Sequence, residues 1–191
     1  MDKTKIKEYS RIAVFAALWA ASEVFLGNYL HSIRLPLKGM VLTSVPIFIF
    51  CIAVFYYKNP FSVIKTGIIV TVIRTVYSWH FNLNITLALF IQTILAFLCI
   101  FLLRKSKLTP LFIGILLQGW TFFQGYFYRV IFMGQDIVEV YEKAKTIPFF
   151  DIIISNILLV FTILYLIYTI PGIIAAYTGY FIGKELSEHE K

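Results

Sequence analysis

Apolar residues run through this chain in blocks of helical length separated by short polar stretches. The blocks predict spans over about 11–30, 40–57, 61–77, 85–103, 111–133 and 149–182, most of them near the roughly 20 residues a helix needs to cross about 30 Å of hydrocarbon. The last block is longer: as straight helix its 34 residues would measure about 51 Å. Pro171-Gly172 offers a break there, but the remainder is too short to cross again, so one long kinked helix protruding at one end is expected. Pro46 should kink the second span or end its first turn. Between the blocks lie a basic lead-in over 1–10, a loop over 27–39 at or folded into the membrane surface, a turn at 58–60, and polar segments at 78–84, 104–107 and 134–148.

The first block is beaded with alanine. Ala13, Ala16, Ala17, Ala20 and Ala21 follow i, i+3, i+4, i+7, i+8, a stripe roughly 140° wide on a helix at 100° per residue. Side chains this small let another helix approach closely, which is how helices associate where lipid is as apolar as leucine. Two readings follow, packing within the chain's own bundle or a docking face for a second membrane protein. A second small-residue face, Gly172, Ala176, Gly179 and Gly183, either joins such a contact or closes the bundle.

Composition narrows the class. With 60% hydrophobic and 14% charged residues and a mean hydropathy of +0.83, the chain is expected to be an all-α integral membrane protein, a bundle of six transmembrane helices forming a single domain over 1–191. No cleavable signal peptide is expected, since the first apolar block is of full length and no small-residue cleavage site opens onto a polar domain. Cys51 and Cys99 both lie inside apolar runs and read as small buried hydrophobes, with no disulfide or metal implied. The net charge of +7 points to membrane topology rather than nucleic acid, because the basic residues sit at the ends of apolar blocks. Placing both termini in the cytoplasm collects Lys3, Lys5, Lys7, Arg11, Lys58, Lys65, Arg104, Lys105, Lys107, Lys184 and Lys191 on that side. Arg34, Lys38, Arg129, Lys143 and Lys145 face the other, and the asymmetry supports cytoplasmic N and C termini.

Several polar residues fall inside the apolar blocks, where an ionisable group costs at least about 2.5–3.5 kcal/mol on insertion scales. Glu23 lies in the outer half of the first span and Arg74 near the outer end of the third. There Thr71, Arg74, Thr75 and Ser78 form an i, i+3, i+4, i+7 stripe that should face protein or a wet cavity. The fifth span repeats the pattern with Gln118, Thr121, Gly125, Tyr128 and Arg129, and Asp151, Ser155 and Asn156 follow near the sixth. One reading is polar glue between helices, for example a Glu23–Arg74 or Asp151–Arg129 pair. The other is an outward-facing solute site, with Tyr77, Trp79, His80, Trp120, Tyr126 and Tyr128 as stacking or lid groups and Asn84 at its edge. Each aromatic alone also reads as an interfacial anchor or core filler. The mixed charge of Arg74 and Arg129 against Glu23 and Asp151, with many aromatics, points to a small heteroaromatic or zwitterionic solute.

Catalytic and cofactor motifs do not emerge: His31, His80 and His189 stand singly, and neither a His-Glu-x-x-His pair, a Gly-x-Ser-x-Gly elbow nor a P-loop occurs. The reading is therefore not of an enzyme, and any use of ATP would require other subunits.

Length near 190 residues, six spans with both ends inside, a short basic lead-in and the Ala-x-x-x-Ala pattern Ala13-Val-Phe-Ala-Ala17 continuing to Ala21 together resemble the substrate-binding S component of energy-coupling factor (ECF) transporters. The resemblance covers the whole chain as architecture, with the alanine pattern as its local motif. It implies that Ala13, Ala17 and Ala21 dock on a transmembrane coupling subunit joined to two cytoplasmic ATPases. It also implies capture of a vitamin or related micronutrient by the later helices and the outer loops, here 28–38 and 78–84, and delivery by tilting of the whole domain. No substrate-specific signature is matched. The alternative is a self-sufficient proton- or ion-coupled secondary transporter, with Glu23 or Asp151 as the coupling carboxylate.

Overall fold

The computed structural model describes residues 3–33, 38–77, 83–132 and 157–189, and the side chains within them except at 3, 31, 126–132, 157–158 and 160–161. Among the described residues every regular element is helical. Helix α1 spans Lys3–Ala21 and passes through a π-helical turn, Ser22–Leu26, into α2, Gly27–Ser32. Then come α3, Lys38–Tyr56; α4, Phe61–Tyr77; α5, Leu83–Leu103; α6, Thr109–Phe132; and α7, Ile157–His189. Among the described residues four stretches, Thr4–Leu30, Lys38–Tyr56, Leu83–Leu103 and Thr162–His189, are long and apolar enough to cross a membrane.

Two expectations change. The loop expected over 27–39 begins later, because helix continues through Gly27–Ser32. Gly27 does not end it: its N–H donates to the carbonyl of Ser22, five residues back, and closes the π turn. The basic lead-in is itself helical from Lys3. Residues 157–182 of the last block belong to one continuous helix, Ile157–His189, which passes through Pro171 and runs for 33 residues, about 50 Å. Pro46 likewise lies inside α3 and does not end it.

Large side chains decide which face of α1 turns inward. Ile12, Phe15 and Trp19 are buried together with Ala16 and Ala20, and the Trp19 ring meets Phe50 of α3 edge-on at 5.0 Å. Phe15 meets Tyr57 edge-on at 5.6 Å. Helix α3 is the hub, packing on α1, α6 and most extensively on α7, with Ile47, Phe50, Cys51, Ala53 and Val54 in the core. Cys51 and Cys99 are both free and buried. The second small-residue face closes the bundle: Gly172, Ala176, Gly179 and Gly183 are buried, and Gly179 and Gly183 lie on the backbone of Phe48 and Ile52 in α3.

Hydrogen bonds between elements fix which helix ends meet. Ser62 at the start of α4 donates to Glu8 in α1, Arg11 Nη1 donates to the Tyr56 carbonyl at the end of α3, and Lys105 Nζ donates to the Phe55 carbonyl at 3.4 Å. Two cations thus cap the last carbonyls of α3, where the helix dipole is negative. Tyr180 of α7 closes the same end by donating to the Lys105 carbonyl at 2.7 Å. Neighbouring α3, α4, α5, α6 and α7 therefore alternate in direction, and Lys7, Arg11, Lys58, Lys65, Arg104, Lys105, Lys107 and Lys184 gather at one end of the bundle. Glu23, Arg74, Asn84 and Gln124 lie toward the other.

Candidate solute site

The polar side chains buried between α3, α5 and α6 form one hydrogen-bonded group. Thr43 and Thr121 place their hydroxyl oxygens 2.8 Å apart, and Thr121 donates its proton to the Leu117 carbonyl one turn back at 3.1 Å. Thr43 must then be the donor to Thr121, which leaves both hydroxyls only lone pairs for a third partner. Gln92 Nε2 fills that role, donating to Thr43 at 3.3 Å and to Thr121 at 3.2 Å. Every proton is used, and Gln92 Oε1 is left buried with no hydrogen-bond partner.

Gln118 repeats the outcome one turn away on α6. Its Nε2 donates to the Met40 carbonyl at 2.9 Å, and a carbonyl can only accept, so the amide must face it nitrogen first. Gln118 Oε1 is again buried without a partner. The two residues are 4% and 0% exposed. Gly172 makes this packing possible, since a Cβ there would fall 2.9 Å from Gln118 Cβ. In a membrane interior, where lipid supplies no donors, two bare amide oxygens call for a donor-bearing guest or ordered water.

Donors without partners lie on α4 and α6: Arg74 Nε and Trp120 Nε1 are buried and unpartnered. Arg74 is within electrostatic reach of Glu23. Glu23 is buried in the π turn and accepts a hydrogen bond from Trp19 Nε1 at 3.3 Å. π turns recur at functional positions because the widened turn re-aims its side chains. Asn84, second in α5, is bridged to α6 by Gln124 Nε2, which donates to Asn84 Oδ1 at 2.6 Å and to its carbonyl at 2.9 Å. Opposite α6, Phe122 meets Tyr165 and Tyr168 of α7 edge-on at 5.8 and 5.4 Å.

No family model, curated protein or solved structure matches the chain.

Of the residues singled out from the sequence, Glu23, Arg74, Asn84, Gln118 and Trp120 lie within or beside these polar groups. Tyr77 is 51% exposed on the last turn of α4. The side chains of Tyr126, Tyr128 and Arg129, and residues Ser78, Trp79, His80, Asp151, Ser155 and Asn156, lie outside the described residues. In the polar stripe of α4, Thr71 and Thr75 donate to the carbonyls of Gly67 and Thr71 on their own helix, each at 2.8 Å. Sequence reasoning missed Thr43, Gln92, Gln124 and the indole of Trp19. Gln92 carried a signal, as the one amide in the interior of α5, the most apolar of the four spanning stretches.

The alanine stripe splits. Ala16 and Ala20 are buried, whereas Ala13, Ala17 and Ala21 are exposed beside Val14, Leu18 and Phe25. Among the described residues no three His, Cys, Asp or Glu side chains cluster as metal ligands would. The arrangement offers hydrogen-bond donors and acceptors that are buried without partners among the described helices.

Proposed function

We propose that this chain is the membrane-embedded substrate-capture subunit of an uptake system for a vitamin or related small micronutrient, of the S-component type. In this reading it has six spans with both termini cytoplasmic, and works with a transmembrane coupling subunit and two ATPases in a prokaryotic cell membrane. The observation that carries the reading is the pair of buried, unpartnered amide oxygens of Gln92 and Gln118. Their cost in a dry interior is offset when a solute donates N–H or O–H groups to them. The outward set of Ala13, Ala17 and Ala21 supports the coupling partner, because among the described residues these small side chains remain exposed. The gathering of basic residues at one end of the bundle supports the orientation.

Mass spectrometry of the small molecules extracted from purified protein tests the capture function, and a compound with N–H donors is expected. Gln92→Leu and Gln118→Leu should each weaken its binding roughly tenfold, the loss of one buried hydrogen bond, while the protein stays folded. Binding unchanged in both variants would reduce the amides to interhelical glue. Ala17→Trp should leave both binding and melting temperature near the parent values, a surface change within about 0.5 kcal/mol, and abolish ATP-dependent uptake in vesicles holding the coupling subunit and ATPases.

The buried carboxylate of Glu23 favours a second reading, a proton-coupled secondary transporter. Uptake by the chain alone in liposomes, driven by a pH gradient, would establish it in place of the first.

A further inference from the structure

The basic end of the bundle carries a cleft that solute capture at the glutamines does not use. Its volume is about 200 Å3, and it is lined by Thr4, Lys7, Glu8 and Arg11 from α1 and by Tyr56 and Lys58 where α3 ends. The four α1 residues recur at i, i+3, i+4, i+7, so one helix face forms one wall. The space is several times the roughly 30 Å3 share of one water molecule, enough for a tetrahedral oxyanion.

Charge selects the guest. Three cations line the cleft against one carboxylate, a net positive lining, and Glu8 Oε1 is turned toward Ser62 Oγ, which donates to it at 2.6 Å. Lys65, 5.1 Å from the Tyr9 ring, adds positive potential nearby. Arg11 is held rigidly: Nη1 donates to the Tyr56 carbonyl at 3.1 Å, and the guanidinium lies 5.1 Å from the Tyr56 ring centroid. A planar fork fixed in this way matches a phosphate far better than a freely rotating cation does.

Position selects the carrier of that phosphate. The cleft lies at the ends of two stretches able to span a membrane, Thr4–Leu30 and Lys38–Tyr56, at the level where headgroups meet hydrocarbon and where basic and aromatic side chains concentrate. Ile6, Val14 and Leu18 on α1 are 46%, 57% and 55% exposed, an apolar surface along which an acyl chain can run. We infer that this cleft binds the phosphate of an anionic lipid headgroup. The inference rests on the membrane character of the chain and not on solute transport.

Three probes separate the sources: dihexanoyl phosphatidylglycerol, dihexanoyl phosphatidylcholine and inorganic phosphate, each titrated onto the full chain in uncharged detergent and read by native mass spectrometry. Saturable binding of phosphatidylglycerol is expected, at least about tenfold tighter than that of the zwitterionic lipid. The double variant Lys7→Gln/Lys58→Gln should weaken it about 25-fold, at roughly fivefold per basic residue, with an unchanged melting temperature. Lys184→Gln, at the same end but outside the cleft, should bind like the parent. Arg11→Gln also removes a cap of α3, so the lysine pair carries the decision. Absence of saturable phosphatidylglycerol binding, equal binding of the two lipids, or an unchanged affinity in the lysine double variant overturns the site. Inorganic phosphate binding as tightly as phosphatidylglycerol overturns the lipid assignment.

Discussion

Replacing Gly179 by valine is expected to lower the stability of the protein by about 3 kcal/mol or more, the upper range of overpacking losses. A Cβ at this position would collide with the carbonyl oxygen of Phe48 and lie 3.1 Å from its carbonyl carbon and 3.2 Å from Cys51 Cβ. Those neighbours are backbone and the root of a side chain, so nothing can swing aside and α7 must move off α3. Between apolar helices in lipid, close van der Waals contact is what holds the pair, and separation forfeits it along the whole seam. Ala176 and Gly183 share that seam, with the position of a Gly183 Cβ 2.8 Å from Ile52 Cα. Thermal unfolding in detergent, read by scanning fluorimetry, should show the loss. Thr178→Val, one residue away on the exposed side, should stay within about 0.5 kcal/mol of the parent. A Gly179→Val protein as stable as the parent would mean that the two helices do not pack this closely.

Trp19→Ala should cost about 3–5 kcal/mol, the range for emptying a fully buried aromatic site. Trp19 is 0% exposed and packs edge-on against Phe50. It also donates to Glu23, and Trp19→Phe separates the two contributions. Phenylalanine keeps most of the ring but leaves Glu23 without its indole donor, a loss of about 1–3 kcal/mol. Equal losses for the two variants would mean that the hydrogen bond, and not the ring, dominates. The expected order of stability is parent, phenylalanine, alanine.

How much of this was readable from the chain depends on residue size and on which polar groups are weighed. The helical blocks were legible because apolar runs of spanning length admit few other structures. The inward face of α1 was passed over, although Ile12, Phe15 and Trp19 at i, i+3, i+7 carry it. The alanine stripe straddles the boundary of that face, so alanine spacing alone could not say which members turn outward. Gly27-Asn28 read as a break because glycine and asparagine punctuate most helices. Continuation costs glycine only about 1 kcal/mol, which the contact of its helix with α3 offsets. At the candidate site, screening for charge found Glu23 and Arg74 and passed over Gln92 and Thr43. Neutral amides and hydroxyls carry smaller individual costs, and their importance depends on the proton count of a network assembled from three helices. No spacing rule along one segment encodes that count.

The π turn at Ser22–Leu26 makes the first spanning stretch two rods clocked separately. An i→i+5 closure takes up one residue more than an α turn, so every side chain after Leu26 occupies the angular place its predecessor would hold in an unbroken helix, a phase slip of about 100°. The exposed ladder Ala13, Ala17 and Ala21 ends at the last residue before the slip. Its heading on the bundle is therefore set independently of the tip, Gly27–Ser32, with Glu23 seated in the joint.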